Sequence, residues 1–177
     1  MISQEASERF LVSGWLPEME ESSRQALLQV LQEQRAEAGT TVIEQGKTCD
    51  RMAFLMEGTI EVSQLNGQRK PEVLFKIVAP SMFGLTSFFR PKSPDFTLRA
   101  TTPIRFLTLD HPGHARLRRE SPRAAEQLAV AAVQILADRI DALDQRIIED
   151  LAKHPEDRPR SNEWAAFRAR LFEDAAL

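Results

Sequence analysis

The sequence predicts an α+β, mainly β chain: a double-stranded β-helix, or jelly roll, flanked by N-terminal helices and followed by a long C-terminal helix. Three observations carry this. Between Gly39 and Leu109 the apolar residues fall in short runs cut by turn signals, the pattern of a closed antiparallel sandwich and not of a parallel α/β sheet. Asn66-Gly67 lies between two such runs and is a strong hairpin signal. From Ser121 to Ala152 the period changes to heptads.

In chain order, Met1 to Leu16 reads as a short helix or arm with Phe10, Leu11 and Trp15 available to dock, broken by Pro17. Ser22 or Ser23 then caps a second helix carrying Ala26, Leu27, Val30 and Leu31, which ends near Gln34 to Ala38. Strands follow at Thr41 to Glu44, Met52 to Met56, Thr59 to Leu65 and Val73 to Val78, with Gln45-Gly46 and Glu57-Gly58 as turns. Pro80 and Gly84 interrupt, and Thr97 to Ala100 and Ile104 to Leu109 supply two more strands. A short helix near Ala115 to Arg119 precedes the long one. The domain reading is residues 1–38 for the N-terminal helices, 39–110 for the roll, 111–154 for the short and long helices, and 155–177 for a linker and last helix.

The long helix starts with Ser121 as N-cap and Pro122 at its first position, and it should stop before Pro155. Val133, Ile140 and Ile147 fall at heptad position a; Ala129, Leu136 and Leu143 fall at d. β-branched residues at a with Leu at d favour a parallel two-stranded coiled coil, so the helix is read as the seam of a homodimer. Arg139 at g and Asp144 at the next e are placed to pair across it. Leu128 and Ile135 form a second apolar line, off the seam, for the helix's own domain.

The chain has 177 residues, 42% of them hydrophobic, a formal charge of −3 and a pI near 5.7. This composition suits a globular core and argues against nucleic acid as the main partner. No apolar run approaches the length of a membrane span, and residues 1–20 show no secretory leader. Cys49 is alone, so no internal disulfide forms and a reducing cytoplasm is the expected setting.

Gly39-Thr-Thr-Val42-Ile43-Glu-Gln45-Gly46, then Asp50 and Met52-Ala-Phe-Leu-Met-Glu-Gly58-Thr-Ile60-Glu-Val62, resembles the first half of the β-roll of the cyclic nucleotide-binding domain. Pro80 followed by Phe83-Gly84 is similar to the approach to that family's phosphate-binding cassette, one residue shorter than usual, and the likeness continues through Ile104-Arg-Phe-Leu-Thr-Leu109. It covers roughly residues 20 to 151. The architecture is that of the effector domains of bacterial catabolite-activator type transcription regulators.

The resemblance implies a cassette of Phe83, Gly84, Leu85, Thr86, Ser87, Pro94, Asp95, Phe96 and Thr97, with Arg99 beside it. In the family a Glu after Phe-Gly binds the ribose, and an Arg and a small hydroxyl residue hold the cyclic phosphate with helix N–H groups. Here the Glu position is Leu85, the Arg position Pro94, the hydroxyl position Asp95 and the position of the next small residue Phe96, whose ring is expected to fill the pocket. A hydrogen bond to a charged group contributes about 1.5–3 kcal/mol. Loss of both the Arg and the Glu therefore removes roughly two to four decades of affinity. Arg90, Lys92 and Arg99 are the cations available as replacements. On the long helix the family's base-contacting positions fall near Leu143 and Asp144, and Leu143 cannot hydrogen-bond a base.

In regulators of this type a helix-turn-helix domain follows the long helix. Twenty-six residues follow Leu151, which reads as one helix with Trp164, Phe167 and Leu171 on a face, capped by Ser161. Arg158, Arg160, Arg168 and Arg170 interleave there with Glu156, Asp157, Glu163, Glu173 and Asp174, giving a charge-balanced tail. His111 and His114 are spaced for metal on a helix, yet Pro112-Gly113 reads as a turn and no third ligand is near. Cys49 has neither a nearby His nor a helix N-terminus to activate it. No Walker loop, dinucleotide fingerprint or nucleophile elbow occurs, so no enzyme and no resident cofactor or metal is expected. The expected function is a stand-alone homodimeric sensor or regulatory module with a degenerate cassette, working on a small ligand or a protein partner. The alternatives are a cyclic nucleotide or other small-ligand receptor using substitute residues such as Arg99, and a regulator of the catabolite-activator type without its own DNA-binding domain.

Overall fold

A computed structural model describes residues 2–12, 16–90 and 92–153. The chain divides into two compact units, residues 1–132 and 133–177. The first is a roll of two four-stranded antiparallel sheets with helices on it. One sheet has the order β1 (Gln32–Ala36), β8 (Ile104–Asp110), β3 (Arg51–Glu57), β6 (Ser81–Phe83). The other has the order β2 (Thr41–Ile43), β7 (Thr97–Ala100), β4 (Thr59–Leu65), β5 (Pro71–Val78). The helices are α1 (Gln4–Val12), α2 (Glu21–Leu28), α3 (Leu85–Phe89), α4 (His111–Glu120) and α5 (Pro122–Lys153).

The two sheets bury their strands differently, and this explains the two sequence patterns. Ala53 and Leu55 of β3, Phe83 of β6 and Ile104 and Phe106 of β8 face Ile60, Val62, Leu98 and Ala100 of the second sheet in one apolar cluster. The other face of β3 and β8 is covered as well. Phe10 of α1 meets Phe54 edge-on at 5.1 Å, and Met52, Leu107 and Leu109 are fully buried. Strands covered on both faces read as continuous apolar runs; β3 does so from Met52 to Met56, and β8 does so up to Leu109 except at Arg105 and Thr108, which are buried as well. β4 is covered on one face, and Thr59 to Leu65 alternates accordingly.

The strand expectations between Thr41 and Leu109 hold to within a residue or two, and β6 is an addition that Pro80 and Gly84 obscured. The second helix departs from expectation. It begins at Glu21 with Glu20 at the N-cap, ahead of Ser22 and Ser23, and stops at Leu28. Gln32–Ala36 is a strand where the helix was carried to Gln34–Ala38. Gln, Glu, Arg and Ala favour a helix locally, but this segment pairs with β8, Gln32 opposite Thr108 and Ala36 opposite Ile104. Tertiary pairing outweighs propensities of a few tenths of a kcal/mol per residue.

The Pro112-Gly113 turn is also corrected. Both residues lie in the first turn of α4, where proline's missing N–H costs nothing. Asp110 is the N-cap, its carboxylate accepting from the Gly113 N–H at 2.7 Å. α5 starts at Pro122, as expected, and its first turns bury Ala124, Ala125, Leu128, Ala131 and Ala132 in the first unit. No described helix is long and apolar enough to cross a membrane. Trp15 and the tail from 154 onward, including the helix expected there, lie outside the described residues.

Gly58 closes the β3–β4 turn at φ +86°, and a Cβ there would sit 2.3 Å from the Pro103 carbonyl oxygen. Both the dihedral and the space exclude a side chain. Gly58→Ala is expected to cost about 2–3 kcal/mol, read as a lower urea midpoint. An unchanged midpoint would contradict this packing.

Candidate ligand cassette

β6 delivers the chain to Gly84, which stands at φ +79° as the N-cap of α3. A Cβ on Gly84 would lie 2.6 Å from the Arg51 carbonyl oxygen, so glycine is required by dihedral and by close approach to β3. α3 closes with the Phe88 N–H donating to the Gly84 carbonyl at 3.0 Å and the Arg90 N–H to the Thr86 carbonyl at 2.9 Å. Phe83, Leu85, Ser87 and Phe88 are buried, and Thr86 is exposed. Leu85, only 1% exposed, is therefore a core residue.

The segment returning to β7 is pinned to the β2–β3 turn. The Gly46 N–H donates to the Pro94 carbonyl at 2.9 Å, and the Gln45 N–H to the Thr97 hydroxyl at 3.1 Å. Pro94 is buried and Asp95 exposed, the latter paired with Lys92 at 2.7 Å. Phe96 is 37% exposed and does not fill the interior. The space between the sheets is taken instead by Ile43, Ile60, Val62, Leu98 and Phe83, the last with its ring centroid 5.7 Å from that of Phe106.

Structure thus brings Phe83 to Ser87 together on β6 and α3, and Pro94 to Thr97 together on the β7 approach. It does not bring Arg99 to them. Leu98 and Ala100 point into the core, and Arg99 between them is on the outer face, its Nε donating to the Gly39 carbonyl at 2.9 Å. One-residue alternation could not say which face Arg99 takes; the pairing of Val62 with Leu98 and of Glu61 with Arg99 decides it. Of the other candidate cations, Lys92 is held by Asp95 and Arg90 is an exposed C-cap.

Cys49 lines an open groove with Val42, Lys47, Thr48 and Asp50, and its thiol donates to the Arg51 carbonyl at 3.3 Å. No histidine lines that groove. Among the described residues no cluster of three or more His, Cys, Asp or Glu is arranged to hold a metal ion. The local reading of the sequence missed a ring cluster between α3 and α4 formed by Phe88, Phe89, His111 and His114. The His-x-x-His spacing was its only signal, masked by Pro112-Gly113.

Along the seam of α5, Val133 is 66% and Ile140 61% exposed, and Asp144 is exposed too, while Ala129 and Leu136 are half-buried. The side chains of Leu143 and Ile147 lie outside the described residues.

The cyclic nucleotide-binding domain family matches residues 33–137 of the chain. Among solved structures, a cyclic nucleotide-binding domain from Methylobacillus flagellatus KT superposes with a TM-score of 0.75 at 15% identity, covering 89% of this chain and 87% of that one. The N-terminal domain of a transcriptional regulator from Streptomyces coelicolor A3(2) gives 0.65 at 20% identity, covering 76% and 94%. The catabolite activator protein of Thermus thermophilus gives 0.64 at 18% identity; 80% of this chain is covered, and it spans 63% of that protein. No curated protein matches. With the roll, its glycine-entered α3 and a match over more than half its length, the chain belongs to the cyclic nucleotide-binding domain family.

Proposed function

We propose that this protein is a homodimeric regulatory module, joined through the heptad seam of α5, whose cassette does not hold a cyclic nucleotide in the family's usual way. The carrying observation is the burial of Leu85 in the core where the ribose-binding carboxylate would stand. Pro94 and Asp95 at the aligned phosphate positions, and Arg99 on the outer face of its sheet, support the same reading. An anion approaching this loop meets the Asp95–Lys92 ion pair in place of a free guanidinium. The module acts through a different small ligand or through protein contacts, without chemistry of its own, and works in the cytoplasm, where a lone cysteine stays reduced.

Calorimetric titration with cyclic AMP, cyclic GMP and a cyclic dinucleotide tests the cassette. No saturable heat is expected from any of the three. Saturable binding at micromolar level or tighter would overturn the reading.

A further inference from the structure

The last two residues of α3 are gripped by the first turn of α4. His111 stacks on Phe88 with ring centroids 4.6 Å apart and planes 9° from parallel. His114 meets Phe88 at 5.4 Å and Phe89 at 6.0 Å, both edge to face. Phe88 and Phe89 meet each other edge to face at 5.1 Å. Phe88 is buried at 2% exposure, whereas Phe89 is 40% exposed, so the cluster lies at the rim of the core. A three-residue step puts both imidazoles on one side of α4.

We propose that His111 and His114 form a pH-responsive clasp on the end of α3, in which a neutral His114 holds it against α4 and protonation of His114 releases it. A neutral imidazole packs against a phenyl ring as a small aromatic. A charged one loses part of its hydration where His114 is half-buried in this contact. On the α3 side His114 meets the uncharged rings of Phe88 and Phe89. The charges that bear on His114 come from its own helix, Arg118 and then His111, and both oppose a positive charge on His114. Asp110, the carboxylate nearest in sequence, is engaged as the N-cap through the Gly113 N–H. Burial first, then Arg118 and His111, keep His114 below the ordinary histidine value.

The direction follows from proton binding. A histidine lowered in the folded state binds fewer protons there than when released. The clasp is therefore intact above the ordinary histidine value and weakens as pH falls through it. The consequence is structural whatever the cassette binds: α3 opens the cassette, and α4 runs from β8 to the start of α5.

Amide hydrogen exchange on the full chain, corrected for intrinsic rates, tests this between about pH 7.5 and about pH 5. The Phe88 and Arg90 amides, which close α3, should lose protection several-fold at the lower pH while those of β3 and β8 keep theirs. His114→Gln should abolish the pH dependence, and His111→Gln should retain it. Equal α3 protection at both pH values would overturn the clasp, as would a pH-dependent loss that survives His114→Gln. In the wild-type chain, proton NMR adds a test that needs no variant. The Phe88 ring signals should shift with the same midpoint as the His114 ring, and a Phe88 that does not follow His114 would equally refute the proposal.

Discussion

Arg105→Met is expected to destabilise the fold by about 3–5 kcal/mol, the range for removing one partner of a buried ion pair. Arg105 is 6% exposed on β8. Its Nε donates to Glu33 of β1 at 2.7 Å, one Nη to Glu5 of α1 at 2.9 Å, and the other Nη to the Ser3 hydroxyl at 2.7 Å. Glu57 of β3 stands 3.5 Å away and is also paired with Arg9. One guanidinium thus ties α1, β1 and β3 to β8. Methionine would leave the buried Glu33 carboxylate with only the exposed Arg35, 3.4 Å away, as its cation, and losing a buried partner costs more than the ion pair itself contributes. Urea unfolding at neutral pH measures the loss, and a fall below about 1 kcal/mol, the scale of an exposed pair, would contradict it. Adding Glu33→Gln to Arg105→Met should recover part of the loss, because the uncompensated charge is then gone as well.

The same cluster sets an acid limit. Glu33 is held down to about 2, first by the Ser3 backbone N–H at 2.8 Å and then by the Ser3 hydroxyl and Arg105. A carboxylate lowered in the folded state stabilises the fold above its unfolded value near 4.5, and that contribution drains away as pH falls toward about 2. Acid should therefore loosen the β1 and α1 contacts to Arg105.

Leu136→Glu with Ile140→Glu is the other large effect: a shift from dimer to monomer in light scattering. Val133 and Ile140 are exposed, and the inner line of Ala124, Ala125, Leu128, Ala131 and Ala132 is buried, so the outer line is left for a second chain. Charges facing each other across a parallel seam repel and lose their hydration. The inner line is untouched, so the roll should keep its urea midpoint. A wild-type chain that is monomeric at tens of micromolar, a concentration where a stable two-stranded seam should associate, would remove the dimer from the proposal.

Much of the fold is written locally. β4 announces itself by alternation and by Asn66-Gly67; β3 by the unbroken apolar run Met52 to Met56; α5 by Pro122 and its heptads. The substitutions at Leu85, Pro94 and Asp95 can likewise be named position by position. These features repeat within a few residues, the range over which backbone period and turn chemistry act. What only the tertiary structure decided depends on residues far apart in the chain. Gln32–Ala36 is a strand because it pairs with β8 some seventy residues later. Arg99 faces outward because of its register with β4. Arg105 gathers Ser3, Glu5 and Glu33 from distant segments, and two histidines that resembled a turn became the first turn of a helix clasping α3. Pairing register and the direction of a side chain across it are properties of two segments at once, and no single stretch of sequence contains them.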